Sequence, residues 1–311
     1  MRVFLTGATG YIGAVVAEKL QAAGHSIIGL ARTPEAAQKL VVRNIEPILG
    51  DLRDPNPLIQ TARQADGIVH TAFVHDFNHW SNAIQIERKF VTTISKALAG
   101  SGKPFVATSD SGVLGDTKTA IASEKYPISK HSILSDRAKA EQAILQASQL
   151  DIRTMIIRLP FYVYGRDGGT SFAAMQVRAA LEMGVCQYVE SGYQKVSAAH
   201  VDNVAQLYQL ALEEASAGSL FHAATESGIE AKEIAEAIAE IGGYETESIC
   251  FEEALFNWGE ALATFFSINN QISATKAIEQ LGWNPQVERS LLEEIRTGWY
   301  HTLCRNFDDS T

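Results

Sequence analysis

Three glycines near the start of the chain, Gly7, Gly10 and Gly13, have the spacing GxxGxxG within Val3-Phe4-Leu5-Thr6-Gly7-Ala8-Thr9-Gly10-Tyr11-Ile12-Gly13. An apolar, strand-like run precedes them and a helix-like stretch follows. In that context Gly7 permits a tight turn, Gly10 lets the backbone approach a pyrophosphate, and Gly13 lets helix and strand pack closely. Amides without helical partners and the helix dipole then favour an anion. The expected chemistry is the seating of a dinucleotide, with Thr9, Tyr11 and Ile12 beside its phosphates. A glycine-rich turn without a ligand is the plainer alternative.

A second position bears on which dinucleotide. A site selective for NAD usually places Asp or Glu after the second strand, bonded to the ribose hydroxyls. Here that region reads Gly29-Leu30-Ala31-Arg32-Thr33-Pro34, with an arginine and no acid. A guanidinium matches a phosphate bidentately. NADP(H) is therefore favoured over NAD, with Arg32 facing the 2′-phosphate; the competing reading is a solvated arginine near the adenine. Further candidates follow the fourth strand: His75, Asp76, Phe77 and His79, of which His75 could exchange protons near neutral pH. His70, inside that strand, reads as a core residue. Tyr162, Tyr164, Tyr188, Tyr193 and His200 could line a substrate side or simply pack. No cysteine, histidine or carboxylate set has metal-ligand spacing.

Positioning these groups requires a scaffold, and the chain supplies alternating elements. Strand-like runs stand at Val3–Leu5, Ile27–Leu30, Pro47–Leu49, Ile68–His70, Pro104–Thr108 and Arg153–Leu159. Helix-like stretches lie between them, including Tyr11–Ala23 closed by Gly24, one opened by Pro34, Trp80–Leu98 and Leu134–Gln149. This alternation predicts an α/β fold, a doubly wound parallel sheet of the Rossmann type. After Pro160 the alternation fades. Val185–Glu190 and Tyr193–Ala198 read as a hairpin around Ser191-Gly192. Helices are expected at Val201–Glu214, Ala231–Ile241, Ala274–Leu281 and Ser290–Thr302, with a short strand at Leu220–His222. The dinucleotide domain is thus expected over 1–160, with 201–223 returning to it. A smaller, mostly helical lobe takes 161–200 and 224–311.

Bulk properties narrow the classes. The 311 residues carry 26 basic and 36 acidic side chains, a formal charge of −10, so polyanion binding has no electrostatic support. No apolar run approaches the ~20 residues a membrane span needs. The three cysteines, Cys186, Cys250 and Cys304, are widely separated. They fit a reducing compartment better than a disulfide framework. Strand-like residues begin at Arg2, with no signal peptide ahead of them, so the expectation is a cytoplasmic protein.

The segment Thr6–Gly13 resembles the nucleotide-binding motif of extended short-chain dehydrogenases/reductases, the group that includes NAD-dependent sugar epimerases and dehydratases. The resemblance spans most of the chain. Gly50-Asp51-Leu52 is similar to the family's adenine-contacting segment, which implies cofactor contacts from Asp51 and Leu52. Val69-His70-Thr71-Ala72 is similar to its fourth-strand segment, bringing in Thr71, Ala72 and Phe73. Arg158-Leu159-Pro160 through Val163-Tyr164-Gly165 is similar to its sixth-strand segment, implying cofactor contacts from Leu159 and Pro160. His200–Ala205 and Leu281–Pro285 resemble later family segments. Ala72-Phe73, His75-Asp76-Phe77 and Leu220–Ala223 resemble an atypical subgroup that keeps the cofactor motif and loses the usual active-site residues.

The family's hydride chemistry implies a Tyr acid/base, a Lys four residues later, and a Ser or Thr holding the substrate oxygen. A phenol of pKa ~10 needs a nearby ammonium to be useful near neutrality. This chain departs from that pattern. Aligned on Ser135-Asp136-Arg137-Ala138-Lys139-Ala140-Glu141, Lys139 takes the lysine position and also contacts the cofactor ribose, while Ser135 stands where the tyrosine belongs. The fifth strand ends Thr108-Ser109-Asp110-Ser111, with Asp110 at the family serine position and Ser109 and Ser111 flanking it; Thr108 is taken as a cofactor contact. A literal YxxxK, Tyr126 to Lys130, lies nine positions before the aligned site, and Pro127 argues against a helix interior there. Three activities remain open. One is an NADP(H)-dependent oxidoreductase for a small carbonyl or hydroxyl compound, using Ser109 or Ser111, Lys139, and a proton from His75, Tyr126 or water. The others are an epimerase or dehydratase, and a non-catalytic NADP(H)-binding regulatory protein. The resemblance also implies a homodimer through 80–98 and 134–149, although the apolar positions there equally serve packing within one chain.

Overall fold

The computed structural model describes residues 1–74, 79–130 and 135–308, without the side chains at 135, 136 and 304–308. His75, Asp76 and Phe77 fall outside the described residues. The first half runs β1 (Arg2–Thr6), α1 (Tyr11–Ala22), β2 (Ser26–Ala31), α2 (Pro34–Val42), β3 (Glu46–Leu49), α3 (Leu58–Gln64), β4 (Gly67–His70), α4 (Trp80–Leu98), β5 (Pro104–Asp110), β6 (Ile121–Ala122), α5 (Ser135–Gln146) and β7 (Arg153–Leu159). The second half runs β8 (Tyr162–Tyr164), α6 (Phe172–Met183), β9 (Val185–Val189), β10 (Lys195–His200), α7 (Val201–Glu214), β11 (Ser219–His222), β12 (Glu226–Glu230), α8 (Ala231–Gly242), β13 (Glu245–Ile249), α9 (Phe251–Ser267), β14 (Gln271–Ile272), α10 (Thr275–Leu281), α11 (Leu291–Thr297) and α12 (Trp299–Asp308).

Seven strands form one sheet in the order β11-β7-β5-β4-β1-β2-β3, every neighbouring pair parallel. This is a Rossmann-type α/β fold. Its central strands are buried on both faces, which is why they read as continuous apolar runs: Val3, Phe4 and Leu5 are all fully buried. On one face Val15, Val16 and Leu20 of α1 and Val204, Leu207 and Leu212 of α7 share a core. On the other, Phe90 and Ile94 of α4 pack with Phe4 and Phe105. Local signals set the ends of elements. Pro34 opens α2, and the Thr33 hydroxyl accepts from the Ala36 amide at 3.2 Å. Since β1 pairs with β2 on one side and β4 on the other, the chain reverses its direction of travel across the sheet there. Such switch points open a crevice at the strands' carboxyl ends.

The second half departs from its expectation in pairing. Residues 185–198 do not form a hairpin. β9 pairs in parallel with β13, and β10 lies between parallel β8 and antiparallel β12. The expected single helix at Ser290–Thr302 is two, α11 and α12, broken at Gly298. A Cβ on Gly298 would stand 2.2 Å from the Glu294 carboxyl. No described helix is long and apolar enough to cross a membrane.

Candidate active site

A cleft of about 840 Å³ opens at the carboxyl ends of β1, β4 and β5 and runs from Arg32 to Phe265. The three turn glycines meet it differently. Gly7 has φ +81°, and a Cβ there would lie 2.6 Å from Thr71 Oγ1 and 2.8 Å from the Ala72 amide. A Cβ on Gly13 would lie 2.1 Å from the Gly7 carbonyl oxygen, so α1 could not pack against the turn. Gly10 has an ordinary φ of −85°. A Cβ there would meet only the Gly7 oxygen, at 3.3 Å, with nothing else within 4 Å. Backbone conformation does not demand glycine at this position, which lies on the cleft wall, and internal packing opposes a side chain only through that tight contact with the turn. Gly10 also heads α1 without a side-chain cap, so no side chain competes for the first-turn amides. Bare amides behind an unobstructed surface suit a phosphate, and the residues present fit a dinucleotide's pyrophosphate.

Arg32, Asp51, Leu52, Thr71, Ala72, Phe73, Thr108, Leu159 and Pro160 all line the same cleft, together with Thr9, Tyr11 and Ile12. Several have their polar groups committed. Thr71 Oγ1 donates to the Thr6 carbonyl at 2.9 Å, and Thr108 Oγ1 donates to the His70 carbonyl at 2.8 Å. The Tyr11 hydroxyl donates to the Gly165 carbonyl at 2.8 Å. Asp51 accepts from Arg53 through its backbone amide at 2.8 Å and its guanidinium at 2.9 Å. Arg53 joins Arg32 at the rim of this end, whereas Leu52 is buried.

The opposite end rests on α4, α5 and β5. The α5 residue on the cleft is Arg137, not Lys139. Two residues turn a helix by about 200°, and Lys139 is exposed on the far face. Arg137 is buried between two acids. It pairs closely with Asp110, and its Nε stands 3.4 Å from Glu87 on α4. The Phe73 ring covers its guanidinium at 4.3 Å. Burial pushes the Glu87 carboxyl up to about 7 against the attraction of Arg137. Burial likewise raises Asp110, which also accepts from the Gly112 amide at 2.8 Å. One guanidinium shared by a buried and a partly buried carboxyl leaves the pair holding a proton near neutrality.

Beside Asp110, Ser109 lines the cleft, and its buried Oγ has no hydrogen-bond partner among the described residues. Ser111 is equally buried but does not reach the cleft. Tyr126 lines a separate groove with Glu141 and Lys276, in an irregular segment, so the Tyr126–Lys130 spacing places no pair on a helix. Behind the floor, Arg158 grips Glu141 bidentately at 2.9 and 2.5 Å and stands 3.3 Å from His222. Burial, helped by Arg158, holds His222 down to about 3, and burial holds His70 down to about 3 as well. Both are neutral and serve packing; His70 bonds Thr6 Oγ1 at 2.7 Å and stacks on Phe90. Tyr162, Tyr164, Tyr188, Tyr193 and His200 do not line the cleft. The Tyr162 hydroxyl donates to Gln176 at 3.0 Å, and that of Tyr164 donates to Glu226.

Five aromatic residues dominate the remaining wall, Phe73, Trp80, Phe161, Phe172 and Phe265, with Val74, Val163, Thr170 and Ser171 among them. Ring centroids lie 5.2 Å apart for Phe73–Trp80 and for Phe161–Phe265. Phe265 comes from α9, an element absent from the sequence reading. Glu87 and Arg137 were also missed, although a signal was present. Glu87 interrupts the buried stripe Ile84, Phe90, Val91, Ile94 of α4. Arg137 and Glu141 occupy a stripe on α5 with Ala140 and Ile144. A charge inside an apolar helical stripe must find a partner across the interface.

A family model described as the NAD dependent epimerase/dehydratase family matches residues 3–224. An uncharacterized protein of Saccharomyces cerevisiae is 35% identical over 303 residues, covering 96% of this chain and 99% of its own. The 4-hydroxy-2-methyl-3-oxo-4-farnesyl-3,4-dihydroquinoline-1-oxide ketoreductase of Stigmatella aurantiaca is 28% identical over 257 residues, covering 79% of this chain and 75% of its own. Among solved structures, the dTDP-glucose 4,6-dehydratase DesIV of Streptomyces venezuelae, with NAD and TYD bound, superposes with a TM-score of 0.81 at 18% identity. That match covers 99% of this chain and 98% of the other.

Proposed function

Because the chain belongs to the NAD-dependent epimerase/dehydratase family, we propose that it is an NADP(H)-dependent oxidoreductase that interconverts a small carbonyl compound and its alcohol. The observation that carries this reading is Gly10, a glycine at an ordinary φ whose Cβ would meet one tight internal contact and otherwise only the cleft it borders. The two guanidinium groups at one end favour the 2′-phosphorylated dinucleotide. When bound, the dinucleotide supplies a hydride to the substrate carbon or takes one from it.

Ser109 Oγ, buried and without a partner among the described residues, donates to the substrate oxygen. Asp110 stands next to it on the cleft side of the Arg137 cluster and delivers the proton to that oxygen during reduction. Among the described residues lining the cleft, the one phenol is that of Tyr11, whose hydrogen is committed to Gly165. Lys139, exposed away from the cleft, has no part in this scheme.

Two outcomes follow. Arg32→Ala should weaken NADPH binding about ten- to a hundredfold, the worth of one charge-assisted contact, and leave NADH binding within twofold. Fluorescence titration with both cofactors measures this, and equal losses for the two would remove the case for NADP(H). Asp110→Asn should lower kcat for carbonyl reduction about a hundredfold with NADPH affinity retained. In the parent protein the reductive rate should fall as pH rises past about 7, where the Asp110–Glu87 pair gives up its shared proton. That alkaline fall should vanish from the Asn variant's residual activity. Tight NADPH binding with no turnover across a carbonyl panel would instead indicate a dinucleotide-binding regulatory protein.

A further inference from the structure

We propose that the substrate is an uncharged aromatic ketone or aldehyde, held in the box of Phe73, Trp80, Phe161, Phe172 and Phe265 with its oxygen toward Ser109, and not a nucleotide-linked sugar. This rests on the oxidoreductase reading above and narrows its substrate.

Charge is the first argument. A nucleotide-linked sugar brings a diphosphate with two negative charges, which needs cations free to receive it. Among the described residues lining the cleft the cations are Arg32, Arg53 and Arg137. Arg32 and Arg53 stand at the far end, beside Asp51 and Leu52. Arg137 has its charge offset already: it pairs closely with Asp110, lies 3.4 Å from Glu87 and carries the Phe73 ring over one face. Near neutral pH, Arg137 with its two acids carries a charge of zero or −1, according to whether the pair holds one proton. A diphosphate brought there would lose its hydration and gain no counter-charge from the described residues.

Shape and polarity are the second argument. Five rings from four separate segments converge on this end. Phe265 contacts Phe161 at 5.2 Å, Phe172 at 5.8 Å and Trp80 at 6.2 Å between centroids, in tilted or edge arrangements. Such rings offer faces and edges to a flat apolar guest. Next to this wall stands Ser109 Oγ, buried and unpartnered among the described residues. A hydroxyl left so is a donor waiting for an acceptor, and a carbonyl oxygen supplies one. Apolar walls with a small number of aimed polar groups are the usual form of a site for a small apolar ligand.

The step balances as an ordinary reduction. Hydride from NADPH forms the new C–H bond at the carbonyl carbon, the C=O π pair moves to oxygen, and that oxygen takes the proton from Asp110. NADP and a benzylic-type alcohol leave, and Asp110 regains a proton from solvent.

The test uses the full chain with 1-phenyl-1,2-propanedione as the aromatic probe, 2,3-butanedione as the small aliphatic comparator, and UDP-glucose and dTDP-glucose as the sugar nucleotides. With NADPH, kcat/KM for the aryl diketone should exceed that for butanedione at least tenfold, and neither sugar nucleotide should bind below millimolar concentration. Phe265→Ala should raise KM for the aryl probe about tenfold and leave the NADPH dissociation constant within twofold; Phe265→Leu, which keeps most of the packing volume, should raise it about threefold. Binding of the aryl probe is also read without cofactor, by ligand-observed NMR. Absence of dinucleotide binding together with aryl binding sensitive to Phe265 would reject the oxidoreductase reading, and with it the reduction, while keeping the box as a site for an uncharged aromatic ligand. Micromolar binding or turnover of a sugar nucleotide overturns the proposal, as does an aryl probe that neither binds nor reacts, or one indifferent to both Phe265 variants.

Discussion

Gly10→Val should weaken NADPH binding by about a thousandfold or more while costing the fold only about 1 kcal/mol, the difference between glycine and valine as a helix cap. The Cβ makes one tight contact within the protein, with the Gly7 oxygen at 3.3 Å, which a small shift of the turn relieves, and φ is −85°, which any residue adopts. What the valine methyls occupy is the surface along which a phosphate would reach the first-turn amides of α1. Gly13→Ala is the control with the opposite outcome. Its Cβ would sit 2.1 Å from the Gly7 oxygen and 2.6 Å from Thr71 Oγ1. The helix must move off the strand, and the expected loss is about 4 kcal/mol or more of folding stability. Denaturant unfolding and fluorescence titration on both variants separate the two effects. Unchanged NADPH affinity in a folded Gly10→Val protein would leave the cleft without its cofactor.

Arg137→Met should destabilise the protein by about 3–5 kcal/mol at pH 7.5, because it strips the counter-charge from two buried acids. The sign of its pH dependence follows. Without the guanidinium, both carboxyls have folded-state pKa values above their unfolded ones. Each then binds its proton more readily in the folded state, so the penalty is full at alkaline pH and shrinks as pH falls toward 4.5. The gap to the parent protein should narrow by half or more between pH 7.5 and 5. Glu87→Gln combined with Arg137→Met should recover part of the loss at pH 7.5 and flatten the slope. Such non-additivity is expected where side chains share one network. Urea unfolding at the two pH values measures all three proteins. A constant gap would mean that packing of the Arg137 stem, and not its charge, holds the two helices and the strand together.

The floor of the cleft is therefore a charged knot where the family's usual chemistry would place a phenol and an ammonium. Ser135 stands at the tyrosine position only under an alignment that puts Lys139 at the lysine position. The observed orientation of α5 sets that alignment aside by turning Arg137 inward. The knot leaves this end of the cleft neutral or negative near neutral pH, beside the aromatic rings.

The chain's linear order was enough for everything that depends on neighbours a few residues apart. The glycine turn, the strand Arg153–Leu159 and the buried stripe of α4 are written in short-range periodicity, because a strand repeats every two residues and a helix every 3.6. The parallel sheet followed from alternation. Tertiary packing decided what periodicity cannot encode, namely which strand meets which and which face of a helix turns inward. The segments at 185–198 look like two halves of a hairpin, yet β9 finds its partner in β13, some sixty residues on. Two residues of register on α5 separate an exposed lysine from a buried arginine. Phe265 enters the cleft from an element whose place is fixed only when the second core closes. Local patterns report what a residue prefers; long-range burial and charge pairing choose among those preferences, and the site lies where the choice was made.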